Sequence, residues 1–233
     1  MSDTVLKPDG ERFLPQFSGT IALEHYHRYF LAQKIVEGLD VLDIASGEGF
    51  GSEILARVAK SVVGVDIAEE ATAYAAQHYM RDNLRFVTGS ATEIPLTDGS
   101  VDVIISFETI EHLENHDGMM AEIRRVLRPN GCLMMSSPNK LVYTDRPDYH
   151  NPFHVRELYT KEFIDLVQRY FGQTAHYAQR VTAASVVARQ DSDARFATYT
   201  TEAACAGVAD QMYDIILASD ATLPDITLSL RRP

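Results

Sequence analysis

From residue 40 onward, short apolar runs alternate with stretches whose apolar residues recur at helical spacing. Val41-Leu42-Asp43-Ile44 predicts a first strand ending in a glycine-rich turn, and Ile54, Leu55 and Val58 predict a helix behind it. Ser61-Val62-Val63-Gly64-Val65-Asp66 predicts a second strand, followed by an Ala-rich helix from about Glu69 to Tyr79. Leu84-Arg85-Phe86-Val87 reads as a third strand. Val101-Asp102-Val103-Ile104-Ile105-Ser106 reads as a fourth, nearly all apolar, as a strand covered on both faces should be.

Met119, Ile123, Val126 and Leu127 form one stripe of the next helix, which Pro129-Asn130-Gly131 is expected to stop. Arg124, Arg125 and Arg128 fall in its last turn, where the helix dipole favours cations. Cys132-Leu133-Met134-Met135-Ser136 predicts a fifth strand. Beyond it lie a helix over Lys161 to Phe171, β formers from Thr174 to Val187, a polar loop from Arg189 to Thr201, and a last strand over Met212 to Ala218.

Strands alternating with helices in this way imply βαβ units and a largely parallel sheet. Such a sheet binds ligands outside the carboxyl ends of its strands, so functional residues should fall just after strands. The chain reads as one domain over 1–233, with an N-terminal lid helix (1–36), a core (37–222) and a tail (223–233) that is partly disordered. It has 233 residues, 45% of them apolar, enough for one sizeable core. No run approaches the ~18 apolar residues of a membrane span, and the N-terminus lacks a secretory pattern. A cytoplasmic protein is expected. Cys132 and Cys205 are far apart and in no metal-ligand spacing; Cys132, inside an apolar run, is expected to be buried.

The formal net charge is −12, from 33 acidic and 21 basic residues. A nucleic-acid binder needs a basic face, and the arginines at 124–128 are already explained as a helix end. Nucleic acid is therefore not expected as a partner.

The segment Asp43 to Gly51, D-I-A-S-G-E-G-F-G, directly follows the first strand. Glycines at 47, 49 and 51 permit a tight turn and close approach of a ligand. Asp66 closes the second strand, where a carboxylate can accept hydrogen bonds from ribose hydroxyls. The pair would also suit NAD. However, the glycines do not follow G-x-G-x-x-G, and Glu48, read as a free carboxylate in the turn, would repel a pyrophosphate while tolerating a cationic amino acid.

These stretches, together with V-V-G-V-D-I and G-S-A-T-E-I-P-L-T-D-G-S-V-D-V-I-I-S, resemble the S-adenosylmethionine (SAM)-dependent Rossmann methyltransferases over roughly residues 35–175. The resemblance implies an α/β Rossmann-like fold with a mostly parallel seven-stranded sheet, helices on both faces and an antiparallel last strand. It implies SAM as cofactor, with Asp43, Ala45, Ser46, Gly47 and Gly49 around the methionine part and Asp66 on the ribose. Ile67 would pack on adenine, Ser90 and Ala91 would flank its edge, and Phe107 would lie near the sulfonium. The family's first turn glycine is here Ala45, and the acidic residue usual after Gly89 is Ser90.

The fourth strand runs into F-E-T-I-E-H-L. Glu108, Glu111 and His112 stand at i, i+3 and i+4, so a helical turn would place all three on one face. N-P-F-H-V-R-E-L adds His154 after the fifth strand. Two carboxylates and two imidazoles suit Mg²⁺, Mn²⁺ or Zn²⁺. Such an ion would bind an acceptor hydroxyl, lower its pKa and orient it. The arrangement E-x-x-E-H with a later His resembles the small-RNA 2′-O-methyltransferases and the ubiquinone-pathway O-methyltransferases, both implied to use a divalent ion beside vicinal oxygens. The plainer reading is a Glu-His pair that braces the loop. Without a metal, His112 or His154 is left as general base.

A-L-E-H-Y-H-R-Y-F places Glu24, His25, His27, Arg28 and Tyr29 on a helix ahead of the first strand. His25 is a further candidate for catalysis, and Arg28 for the SAM carboxylate; a solvated amphipathic helix is the alternative. G-E-R-F, E-H-Y-H-R-Y, S-F-E-T-I-E-H, N-P-F-H-V-R-E-L and Y-D-I-I-L-A-S-D resemble methyltransferase domains of bacterial surface-polysaccharide synthesis, implying a sugar hydroxyl on a glycan or nucleotide sugar as acceptor. The competing expectations are a catechol or quinol O-methyltransferase, a non-catalytic SAM-fold binding module and, more remotely, an NAD-dependent oxidoreductase.

Overall fold

The computed structural model describes residues 19–182, 208 and 210–226. The polar loop predicted over 189–201, Cys205, and the end of the tail lie outside the described residues. Helix α1 (Thr20–Val36) precedes β1 (Asp40–Ile44), α2 (Phe50–Ala56), β2 (Ser61–Asp66), α3 (Glu69–His78), β3 (Leu84–Thr88) and β4 (Val101–Phe107). A 3₁₀ turn (Ile110–His112), α4 (His116–Val126), β5 (Leu127–Pro138), a π-helical turn (Leu141–Asp145), α5 (Thr160–Gln168), β6 (Gln173–Gln179) and β7 (Tyr213–Ser219) follow.

The seven strands form one sheet in the order β3-β2-β1-β4-β5-β7-β6. β1 to β5 run parallel, while β7 is antiparallel to both β5 and β6. This is the Rossmann-like methyltransferase architecture. The chain reverses its winding between β1 and β4, so the ends of those two strands flank the crevice where such sheets take ligands.

Alternation along the central strands sends side chains to two cores. Leu42, Ile104, Leu133 and Ile216 pack with Met119, Ile123, Phe163 and Leu166 of α4 and α5. Val41, Val103, Ile105, Met134 and Ile215 pack against Tyr29, Ala32, Ile54 and Leu55 of α1 and α2. Both faces of the sheet are therefore covered, as the uniformly apolar strands required.

The end of α4 differs most from the sequence expectation. Helix α4 ends at Val126, and β5 already begins at Leu127. Pro129-Asn130-Gly131 lies within β5, where the pairing with β4 shifts register between Val101 and Val103. Asn130 takes φ +65° there. The three residues thus build an irregularity into the start of the strand.

Arg124 and Arg125, in the last turn of α4, and Arg128, at the start of β5, are all paired: Arg124 with Asp220, Arg125 with Glu122 and Asp98, and Arg128 with Asp40 and Asp102. Cys132 is buried, which pushes its thiol up to about 12. No helix among the described residues is long and apolar enough to cross a membrane.

Candidate active site

The turn after β1 is built on backbone that most side chains avoid. Ala45 takes φ +57°, and Gly47 and Gly49 take +56° and +97°. The conformation that glycine supplies freely is thus held at Ala45 by an L-residue, at a local cost. Asp66 stabilises the turn from β2, its carboxylate accepting from Gly47 N at 2.8 Å and Ala68 N at 2.9 Å. Asp43 lies beneath, fully buried, and accepts from Ser52 Oγ at 2.6 Å and from the Tyr29 hydroxyl at 3.2 Å. Burial raises its carboxyl to about 7, despite the two hydroxyl donors and with the Asp66 charge adding to the rise.

Several observations test whether this loop fits the cofactor implied for it. Ser46 Oγ is buried without a hydrogen-bond partner, a cost that a polar ligand would relieve. Ile67, one residue after Asp66, is 77% exposed and presents an apolar surface to anything lying along the turn. Ser90 Oγ engages Thr92, shaping the loop that also carries Ala91. These features suit an adenosyl amino acid. Glu48 differs from expectation: it is buried and accepts from the Tyr79 hydroxyl at 3.0 Å, so it is no free carboxylate within the turn.

Helix α1 packs over the crevice, and Glu24, Arg28 and Tyr29 on it are buried. Arg28, 1% exposed, donates from Nη1 to Gln179 Oε1 at 2.8 Å, and Gln179 in turn donates to the Glu24 carbonyl. Its guanidinium lies 4.8 Å from the ring centre of Tyr213 and 6.0 Å from that of Phe107, with Glu108 at 3.9 Å. Nε and Nη2 have no partner. These two donors form one edge of the guanidinium, the edge that takes a carboxylate bidentately. Burial of His25, with Arg28 nearby, holds its imidazole well below the usual range, so it is neutral at physiological pH.

At the end of β4 the chain turns sharply, Glu108 taking φ +51°. The helical face expected for Glu108, Glu111 and His112 is therefore shortened to the 3₁₀ turn Ile110–His112. Glu108 stands outside it, accepting from Ser136 Oγ at 2.6 Å. Glu111, His112 and His154 do converge, with ligand atoms all within 4.8 Å of one another. The amides of Val155 and Arg156 both donate to the Glu111 carbonyl at 2.9 Å, which fastens the His154 segment onto the turn.

His112 Nδ1 meets the Phe153 carbonyl at 3.0 Å and His154 Nδ1 meets Glu157 at 2.5 Å. In a neutral imidazole bonded in this way, Nε2 carries the lone pair. Glu111 Oε2 is buried without a hydrogen-bond partner. Burial, then the neighbouring Glu108 charge, pushes the Glu111 carboxyl well above the usual range. A carboxyl oxygen and two imidazole nitrogens so gathered are a donor set for a divalent ion, whose charge would favour the ionised carboxylate.

Sequence reasoning missed several residues of this site. Ser52 and Tyr79 hold the acids of the turn, joined by Tyr29, which the sequence marked only as part of the lid helix; Gln179 and Tyr213 hold Arg28, and Tyr143 stacks on His154 with ring centres 5.2 Å apart. The i, i+3 spacing of His154 and Glu157 was the one local signal available; the others are joined across distant elements.

Comparison with known proteins agrees with the fold and the turn. Residues 42–135 match the family described as “Methyltransferase domain”. A Mycolicibacterium smegmatis protein named “Probable S-adenosylmethionine-dependent methyltransferase” is 37% identical over 168 residues, covering 68% of this chain and 62% of that one. The ubiquinone biosynthesis O-methyltransferase of Agrobacterium fabrum is 32% identical over 119 residues, covering 50% of this chain and 48% of its own. In fold, the PH0226 protein of Pyrococcus horikoshii superposes with a TM-score of 0.66 at 20% identity, covering 91% of this chain and 98% of its own. The chain thus carries a class I SAM-dependent methyltransferase domain. It spans about three fifths of the length of the mycobacterial relatives it matches.

Proposed function

We propose that the protein transfers a methyl group from SAM to a sugar hydroxyl, with a divalent ion held by Glu111, His112 and His154. The observation that carries this reading is the convergence of those three ligand atoms within 4.8 Å, at the carboxyl edge of the sheet just beyond Phe107. Bound SAM supplies an electrophilic methyl on a sulfonium, and the ion supplies the Lewis acidity that lowers the pKa of an acceptor hydroxyl. An alcohol needs that help near neutral pH, and the vicinal hydroxyls of a sugar suit chelation. The relative named for O-methyl transfer in ubiquinone biosynthesis supports oxygen as the nucleophile.

The chain's own residues divide the remaining work. Ser46 and the backbone around Gly47 would hold the amino-acid part of SAM, Arg28 its carboxylate, Asp66 the ribose and Ile67 the adenine. Helix α1 and the 141–159 segment exclude water from the crevice. Glu108, fixed by Ser136 and facing Arg28, provides a carboxylate at the mouth for an acceptor proton. A second reading follows from the same tautomers: with no ion bound, Nε2 of His112 or His154 is itself the general base.

The deciding experiment is calorimetric titration of Mn²⁺ into protein saturated with S-adenosylhomocysteine, for wild type and His154→Ala. Binding in wild type that is lost in the variant supports the metal-assisted reading and directs the acceptor search to vicinal diols. Absence of binding in wild type removes the metal and leaves the general-base reading.

A further inference from the structure

We infer that Glu157 is the positioning residue of the metal centre, fixing the tautomer and ring orientation of His154 so that Nε2 faces Glu111 and His112. The inference rests on the metal reading above and adds a residue to it. Glu157 comes from the same segment as His154, N-P-F-H-V-R-E, three residues on. Its carboxylate lies 2.5 Å from His154 Nδ1, and both side chains are only 7% exposed. A carboxylate is an acceptor, so the bond requires the proton on Nδ1 and the lone pair on Nε2. The Tyr143 ring stacks on the imidazole and His112 meets it edge-on with ring centres 5.0 Å apart, which closes off rotation.

The same device recurs at the second imidazole with a different acceptor. His112 Nδ1 meets the Phe153 carbonyl at 3.0 Å, again directing the lone pair to Nε2. Two histidines three-dimensionally adjacent, each oriented through Nδ1 by an acceptor from one short loop, have the outer partners that metal-binding imidazoles need. Glu111 supplies the carboxyl oxygen, its Oε1 lying 3.9 Å from His112 Nε2. A structural ion pair alone would account for Glu157 and His154, but not for the shared Nδ1 orientation of both imidazoles beside the Glu111 carboxyl.

The test compares wild type, Glu157→Gln and Glu157→Leu for Co²⁺ binding, read by calorimetry and by the visible absorption of the bound ion. The glutamine amide oxygen still accepts from Nδ1 without the charge, so a smaller loss is expected there than in the leucine variant. Loss of such an outer-shell partner costs roughly 10- to 100-fold in metal affinity. The Co²⁺ spectrum should also change, because the ligand ring is released. Affinity for S-adenosylhomocysteine should stay unchanged in both variants, which reports that the domain is folded. Nitrogen-15 shifts of the His154 ring in the metal-free protein give an independent readout: Nδ1–H in wild type, and a mixture of tautomers in Glu157→Leu.

Undiminished Co²⁺ affinity, an unchanged spectrum and an unchanged His154 tautomer in Glu157→Leu would overturn this inference while leaving the metal reading intact. Failure of wild type to bind Co²⁺ or Mn²⁺ would overturn the metal reading, and this inference with it.

Discussion

Arg28→Met separates ligand recognition from stability. The methionine keeps the length and apolar stem of the side chain and removes the guanidinium. In the free protein the losses and gains oppose one another. Gln179 Oε1 loses its donor and Glu108 loses a cation 3.9 Å away, yet two buried donors without partners are also removed. Each such orphan costs about 1–3 kcal/mol, so the net change in stability is expected to be about 1 kcal/mol in either direction. Binding has no such compensation.

A carboxylate held by Nε and Nη2 makes two charge-assisted bonds, each worth about 1.5–3 kcal/mol. The pair shares one geometry and is not fully additive, so about 2–4 kcal/mol is expected, or roughly 30- to 1,000-fold in Kd. Calorimetry with S-adenosylhomocysteine should show that loss. The same titration with 5′-methylthioadenosine, which has the adenosine and sulfur but no amino-acid end, should show almost none. Equal losses for the two ligands, or an unchanged affinity for S-adenosylhomocysteine, would refute the assignment of the Arg28 edge to the carboxylate.

Two further predictions come from the turn. Asp43, raised to about 7, keeps its proton in the folded protein over a pH range where the unfolded chain, titrating near ~4, has lost it. Stability should therefore fall as pH rises between about 4 and about 7 and then level off, by up to about 4 kcal/mol from this group. Urea unfolding of Asp43→Asn across that range should show a shallower slope, not a flat one, because Glu111 is shifted in the same direction; an unchanged slope would remove Asp43 as its source. Gly49→Ala places a methyl at φ +97°, 2.7 Å from Phe86 Cζ and 2.8 Å from Ala75 Cβ. It should lower stability by about 1–3 kcal/mol and weaken S-adenosylhomocysteine binding; a wild-type thermal midpoint and affinity would show that the turn does not need glycine there.

The sequence by itself determined the strands, a largely parallel sheet and the position of the ligand loop. Those features rest on local periodicity and on the rule that glycines after a buried strand mark a turn. It also marked Glu111, His112 and His154, since each follows directly from a strand end or a short motif. Tertiary structure alone decided which of the marked residues meet. A positive φ at Glu108 took it out of the helical face that its spacing implied and turned it toward Ser136 and Arg28. Pairing of β5 with β4 converted Pro129-Asn130-Gly131 from a helix stop into a strand irregularity. Packing turned Glu48 from a free acid into the partner of Tyr79, and it buried Arg28 and Tyr29 of α1, for which a lid and a solvated helix were both open. In each case the cause is the same: period and spacing fix what a segment presents, whereas long-range packing fixes what lies opposite it. Gln179 reaches Arg28 across 151 positions, a meeting that no local pattern encodes.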